Sequence, residues 1–251
     1  MSSLRRAFKS LDPDLVFNDM EEYLEAGFFK LTPFFIAITI SLLAIRLTYV
    51  FLRSSKPFVD PPERVSTMIV LGSGGHTAEM LSIVNVLNKE RFSPRFYVAA
   101  TTDNMSLQKA QVLEQSLHGL RNNLILQGSS EAAQFLQIYR SREVGQSYIT
   151  SIGTSLIAMM HALWLTLKIR PQVIICNGPG TCIPLCVAAF MFKIAGLRWS
   201  SIFYIESIAR VRKLSLSGLL LYKLRLTDQF VVQWPQLQRK YPRSQYVGRI
   251  M

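Results

Sequence analysis

A chain of 251 residues that is 49% hydrophobic can bury one substantial core with a small accessory element, and a two-domain enzyme would be cramped in it. The formal net charge of +12 is uneven: residues 1–30 carry four Lys/Arg against six Asp/Glu, whereas residues 144–251 carry thirteen against Glu206 and Asp228 alone. Such a basic half suits phospholipid headgroups or a diphosphate, and it disfavours nucleic acid because no basic helix with interleaved aromatics, zinc spacing or ribonucleoprotein motif accompanies it.

Residues 31–52, LTPFFIAITISLLAIRLTYVFL, are apolar enough to cross a bilayer. Arg46 lies near the far end of that run, where a guanidinium can snorkel to the interface. The preceding segment 1–30 is long and acidic and no small-x-small cleavage site follows, so the run reads as an uncleaved signal anchor. Arg53, Lys56 and Arg64 come after it, which places the large C-terminal part on the cytosolic side by charge asymmetry. The expected organisation is an N-terminal segment 1–30, a single transmembrane anchor 31–52, a linker 53–64 containing Pro57 and Pro62, and one domain over 65–251.

From residue 65 onward, short β-rich apolar runs alternate with helical patterns. Strands are expected over 65–71, 95–101, 122–127, 172–176, 200–205 and 228–233, and helices over 77–90, 105–118, 148–169, 181–196 and 216–225. This alternation predicts an α/β fold, a Rossmann-like doubly wound parallel sheet covered on both faces. The helix over 148–169 is uncharged from Ile149 to Leu167 and passes for a second span by composition. Its serines, threonines and glycine, and its place between strands, favour a crossover helix, part of whose surface is free to rest on a membrane. Cys176, Cys182 and Cys186 are odd in number, apolar in context and without a Cys-x-x-Cys pair, which argues for reduced thiols. With His161 they match no common zinc spacing, so no metal is expected, and His118 and His161 read as surface and packing residues.

The first strand runs into Gly72-Ser73-Gly74-Gly75-His76-Thr77-Ala78-Glu79. Glycines let backbone approach a phosphate, and the N–H groups and dipole of the following helix favour its charge. Thr77 stands where a dinucleotide fingerprint needs its third glycine, and no Gly-Lys-Ser/Thr follows, so neither a nicotinamide motif nor a P-loop is present. Without that glycine Asp103 is a weak stand-in for a ribose-binding acid. A second turn, Asn177-Gly178-Pro179-Gly180-Thr181, follows another apolar strand; two such turns at the carboxyl edge of one sheet face a common crevice, or else only make tight strand-to-helix connections. His76 at the exit of the first turn is placed to take a proton or touch a phosphate, the plainer alternative being a capping histidine. Glu206, in Tyr204-Ile205-Glu206-Ser207, is a strand-end carboxylate suited to a base or hydroxyl ligand, or to an ion pair with Arg210, Arg212 or Lys213. Those cations precede Leu214, Leu216 and the run Leu219, Leu220, Leu221, a basic and apolar stretch fit for a lipid surface or a partner, or an ordinary amphipathic helix. Neither Tyr-x-x-x-Lys nor Gly-x-Ser-x-Gly occurs.

An anchor followed by Gly-Ser-Gly-Gly-His-Thr-Ala-Glu, Asn-Gly-Pro-Gly-Thr and Tyr-Ile-Glu-Ser resembles the membrane-anchor subunit of the two-part UDP-N-acetylglucosamine transferase of dolichol-linked oligosaccharide synthesis, over roughly residues 65–251. It is similar, more remotely, to the acceptor-binding half of the bacterial transferase that makes the lipid-linked peptidoglycan disaccharide. The resemblance implies the acceptor-side half of a GT-B glycosyltransferase split between two chains, inactive alone. A soluble catalytic subunit would bind the donor UDP-N-acetylglucosamine, leaving no cofactor to this chain. The reaction implied is inverting β-1,4 addition of the second N-acetylglucosamine to the dolichol-diphosphate-linked acceptor at the cytosolic face of the endoplasmic reticulum membrane.

Carried onto this sequence, Gly72, Ser73, Gly74, Gly75 and Thr77 would cradle the acceptor diphosphate, Asn177, Gly178, Gly180 and Thr181 would shape the same crevice, and His76 or Glu206 would deprotonate the attacking hydroxyl. Arg210, Arg212, Lys213, Leu219, Leu220 and Leu221 would meet lipid or partner, Val247 and Ile250 in the C-terminal segment would dock the partner, and the preceding pathway enzyme is a further candidate partner. Two rival readings are a pure membrane anchor with a vestigial crevice and a membrane-tethered nucleotide-binding reductase.

Overall fold

The computed structural model describes residues 13–54, 62–123, 133–141, 148–178 and 180–250; residues 55–61 of the expected linker, 124–127 of the expected third strand, the side chain of His118, and Pro179 lie outside it. The chain divides after Tyr49 into two compact units. The first consists of most of helix α1 (Pro13–Ser54), which extends beyond the expected 31–52 on both sides. Its apolar part, Leu31–Ser54, has 24 residues, about 36 Å of helix and enough for a hydrocarbon core of roughly 30 Å. Thr39 and Thr48 donate their hydroxyls to the carbonyls of Phe35 and Ala44 at 2.8 Å each, so neither leaves a polar group unmet on an apolar surface.

The second unit begins with the last turn of α1 and holds seven strands: β1 (Thr67–Val70), β2 (Arg95–Ala100), β3 (Gln134–Ile138), β4 (Val173–Asn177), β5 (Ser201–Ile205), β6 (Gln229–Val232) and β7 (Gln245–Tyr246). They form one parallel sheet in the order β3-β2-β1-β4-β5-β6-β7. This is the doubly wound Rossmann-like order, reversing direction beside β1, where the carboxyl ends of β1 and β4 part to leave a crevice. The helices are α2 (Gly75–Val86), α3 (Asn104–Asn123), α4 (Tyr148–Ile169), α5 (Cys182–Ala195), α6 (Leu216–Lys223) and α7 (Pro235–Lys240). Of the expected third strand over 122–127, residues 122 and 123 instead close α3, and the described strand that follows, β3, begins at Gln134.

Alternation along β1 divides the core between the two faces. Met68 and Val70 pack with Ile174, Cys176 and Leu185 on one side, and Ile69 and Leu71 with Met80, Val84 and Leu107 on the other. Crossover helix α4 buries Ala158, Ala162 and Leu165 and exposes Ile152, Leu156, Met160 and Trp164, so it is covered on one face only; by length and composition it too could span a membrane. The three cysteines are free and buried, with the sulfurs of Cys176 and Cys186 3.7 Å apart, and burial pushes the Cys176 and Cys182 thiols up. Two buried ion pairs brace the sheet: Glu114 receives both Nε and Nη2 of Arg95, at 2.7 and 2.8 Å, and Lys193 meets both oxygens of Asp228, at 2.8 and 2.6 Å.

Candidate functional site

Four strand ends build the site. After β1, Gly74 adopts φ 62° and ψ −121°, a conformation open to glycine, and starts α2 without a side-chain cap. The first-turn N–H groups of that helix therefore have no intrahelical partner and no acidic side chain beside them. After β4, α5 likewise begins without a side-chain cap at Thr181. Between these two helix starts lies a cavity of about 510 Å³, lined by Gly72, Ser73, His76, Gly180 and Thr181 together with Asp103 from the end of β2, Arg140 and Ser141 from the end of β3, and Leu216 and Ser217 from the start of α6. The start of α2 suits an anion, whereas α5 offers less, because its Ile183 N–H already bonds the Gly180 carbonyl at 3.2 Å and Pro184 has no N–H.

His76 is half-exposed to this cavity, and its Nδ1 lies 3.0 Å from Asn177 Oδ1. The amide cannot turn the other way, because Asn177 Nδ2 donates to Glu79 Oε2 at 2.7 Å. Glu79 is buried and acts as an acceptor throughout: Ser207 Oγ and the Ile208 N–H donate to its Oε1 at 2.8 and 3.0 Å. A fixed Oδ1 requires the neutral imidazole to carry its proton on Nδ1, which leaves Nε2 with a free lone pair on a ring lining the cavity. Gly178, at φ 65°, makes this packing possible: a Cβ there would fall 2.5 Å from His76 Cε1.

Glu206 occupies a different place from the one its strand-end position suggests. It is fully buried and does not line the cavity. Its Oε2 accepts the N–H and hydroxyl of Ser215 at 3.0 and 3.1 Å, its Oε1 the Ser207 N–H at 3.3 Å, and its backbone carbonyl the Gln233 amide at 3.1 Å. Burial raises the carboxyl above its ordinary range, against the lowering effect of the Ser215 and Ser207 donors and of Arg210. Ser215 in turn caps α6 by accepting the Gly218 N–H, so Glu206 ties the 207–215 loop onto the sheet.

The other expected site residues divide similarly. Thr77 is buried beside the cavity, its hydroxyl on the Gly72 carbonyl and 2.6 Å from Ser106 Oγ, and Asn177 lies beneath His76; both organise the walls. Arg210, Arg212 and Lys213 are exposed on the β5–α6 loop, away from the cavity lining. Leu221 is fully buried and Leu219 packs on the core, because the short α6 turns that side inward, leaving Leu220 exposed. Val247 is exposed, whereas Ile250 packs on the core and its N–H bonds Gln233 Oε1 at 3.1 Å. Sequence reasoning passed over Glu79, Arg140 and Ser141. Glu79 stands three residues beyond His76 on one helix face, a spacing that marks a pair; Arg140 follows the glutamine-containing edge strand Gln134–Ile138, whose composition gives little strand signal.

Residues 67–250 match the family described as "Oligosaccharide biosynthesis protein Alg14 like". The chain is similar to the UDP-N-acetylglucosamine transferase subunit ALG14 of Rattus norvegicus, at 44% identity over 212 residues, 84% of this chain and 93% of that one. Its similarity to the proteins of the same name from Homo sapiens and Yarrowia lipolytica is 42% in each case, over 81% and 82% of this chain and 90% and 92% of theirs. Among solved structures, MurG of Acinetobacter baumannii aligns with a TM-score of 0.48 at 15% identity, covering 73% of this chain and 44% of that one. With the family's match running from the first strand to the last residues of the described sheet, and these relatives matched over nine-tenths of their length, the chain belongs to the Alg14 family of oligosaccharide biosynthesis proteins.

Proposed function

We propose that this chain is the membrane subunit of a heteromeric UDP-N-acetylglucosamine transferase, the acceptor-side half of a GT-B enzyme in the endoplasmic reticulum membrane with its large domain facing the cytosol. It binds N-acetylglucosamine-diphospho-dolichol and recruits a soluble subunit that holds the donor. The observation that supports this reading is His76 in the lining of an anion-suited crevice, its Nδ1 3.0 Å from an Asn177 Oδ1 whose orientation is set by the bond from Nδ2 to Glu79.

In the proposed step the acceptor diphosphate lies against the starts of α2 and α5, bringing the sugar's 4-hydroxyl to His76. The hydroxyl oxygen attacks the anomeric carbon of the donor, the bond from that carbon to UDP breaks with its electron pair leaving on UDP, and the hydroxyl proton passes to His76 Nε2. Attack opposite the leaving group turns an α-linked donor into a β-1,4 product. Glu206 acts as a positioning residue, holding the β5–α6 loop whose Ser207 and Ile208 grip Glu79.

The test is transfer of labelled N-acetylglucosamine from UDP onto an N-acetylglucosamine-diphospho-lipid, using membranes carrying this chain with and without the soluble subunit. Activity is expected only with both, and His76→Ala is expected to lower it roughly 10²- to 10⁴-fold while the soluble subunit still binds. Full activity in that variant would make the chain a pure anchor.

A further inference from the structure

The two glycine turns offer dipoles and N–H groups but no formal charge, and the exposed cations of the β5–α6 loop lie away from the cavity lining. Among the described residues lining the cavity, Arg140 is the one permanent cation, and its side chain has no ion-pair or hydrogen-bond partner among the described residues. Asp103, the one carboxylate in the lining, is already engaged at the start of α3, accepting the Ser106 N–H at 3.2 Å and hydroxyl at 2.7 Å. Next to Arg140, the Ser141 hydroxyl oxygen is shielded from solvent and unpartnered in a residue that also lines the cavity. A buried hydroxyl of this kind calls for an explanation.

The backbone that carries these two side chains is held in place. The Thr154 and Ser155 hydroxyls donate to the Ser141 carbonyl at 2.9 and 3.1 Å, and the Tyr139 N–H reaches His161 Nδ1 at 3.4 Å, so helix α4 fixes residues 139–141 on both sides of Arg140. Because all the strands are parallel, the end of β3 opens onto the same edge as the ends of β1 and β4.

We propose that Arg140 and Ser141 form the cationic wall of the acceptor subsite, taking the diphosphate of the lipid-linked sugar opposite the Gly72–Gly75 turn. The guanidinium supplies a planar pair of charge-assisted N–H donors that a lysine cannot reproduce, and the Ser141 hydroxyl donates to a further phosphate oxygen. This inference rests on the transferase reading above. The donor nucleotide carries a diphosphate of the same chemistry, and the inference commits to the acceptor's.

Two measurements decide it, both on the full-length chain in membranes or detergent. With the soluble subunit present, rates are measured while acceptor and UDP-N-acetylglucosamine are varied separately. Arg140→Ala is expected to raise the acceptor KM at least tenfold, to lower kcat far less, and to leave the donor KM unchanged; Arg140→Lys recovers part of the loss and Ser141→Ala costs about threefold. Without the soluble subunit, binding of a short-chain fluorescent N-acetylglucosamine-diphospho-lipid should weaken at least tenfold in Arg140→Ala and grow less sensitive to salt. A wild-type acceptor KM and wild-type probe binding in Arg140→Ala would overturn the inference, as would a raised donor KM in place of the acceptor effect. Absence of transfer with unvaried chain and soluble subunit would defeat the transferase reading instead, and probe binding would still decide the subsite. Arg140→Gln, which keeps the aliphatic stem, replaces the alanine variant in both measurements if the latter fails to fold.

Discussion

Asn177 Nδ2 donates to Glu79 Oε2 at 2.7 Å, and this one bond keeps Asn177 Oδ1 facing His76 Nδ1, 3.0 Å away. In Glu79→Gln, one oxygen and one NH₂ group would face three donors, from Asn177, Ser207 and Ile208, so Asn177 would be free to turn its NH₂ toward His76 Nδ1. The imidazole proton would move to Nε2 and the base would be lost. Transfer is expected to fall about 100-fold with acceptor binding close to normal. Steady-state kinetics measures the loss, and the nitrogen chemical shifts of His76 report the tautomer directly, which a merely structural role for Glu79 would leave unchanged.

Gly178→Ala acts on the same ring from the other side. The substitution places a β-carbon in a left-handed conformation, at φ 65°, costing about 1–2 kcal/mol, and drives it within 2.5 Å of His76 Cε1. Displacement of His76 should cost more activity than the modest fall in Tm suggests, about 100-fold in transfer. Gly180→Ala serves as the comparison for stability, since a Cβ there meets nothing within 4 Å and its Tm should stay close to that of the unaltered chain.

The buried Glu206 carboxyl predicts a pH signature in stability. Burial raises its folded-state value above the ordinary 4.5, so between those two values the folded chain binds the proton that the unfolded chain has already released. Stability contributed by this group is complete below the unfolded value and declines as pH rises through the folded one. Glu206→Gln cannot titrate, so its Tm relative to the unaltered chain should shift in the variant's favour from about pH 4 to about pH 7, measured by thermal melting in detergent. A constant difference across that range would contradict the assignment.

Lys193 and Asp228 lie against each other almost wholly removed from water, and burial lowers the lysine's pKa despite its partner. Asp228→Asn should destabilise the chain by about 3–5 kcal/mol by leaving a buried ammonium without its counter-charge. Adding Lys193→Met should restore most of that loss, a coupling readable in a double-mutant cycle by denaturant melting.

Much of this architecture was legible because the inner strands are short, apolar and β-branched, and the glycine turn after β1 is unmistakable. Strand β3 escaped because it is an edge: Gln134-Phe135-Leu136-Gln137-Ile138 needs only one covered face, whereas Leu124-Ile125-Leu126, outside the described residues, has the more strand-like composition. The two-residue β7 is too short to leave a pattern. At the site, His76 and Asn177 could be named from their glycine neighbours. The division between Glu79 beneath the imidazole and Glu206 beneath the loop could not, because it depends on residues 207–215 folding back to supply donors to both carboxylates.

The pairing of β1 with both β2 and β4 also sets an order of events on the ribosome. Thr67 is matched with Arg95 on one side but with Val173 on the other, so this inner strand keeps one edge open until about a hundred further residues have been made, roughly 5–20 s at ordinary elongation rates. A nascent chain would carry an apolar, unpaired strand edge through that interval. The glycine turn that follows β1 is thus among the first parts of the site to be synthesised and among the last to acquire its opposite wall.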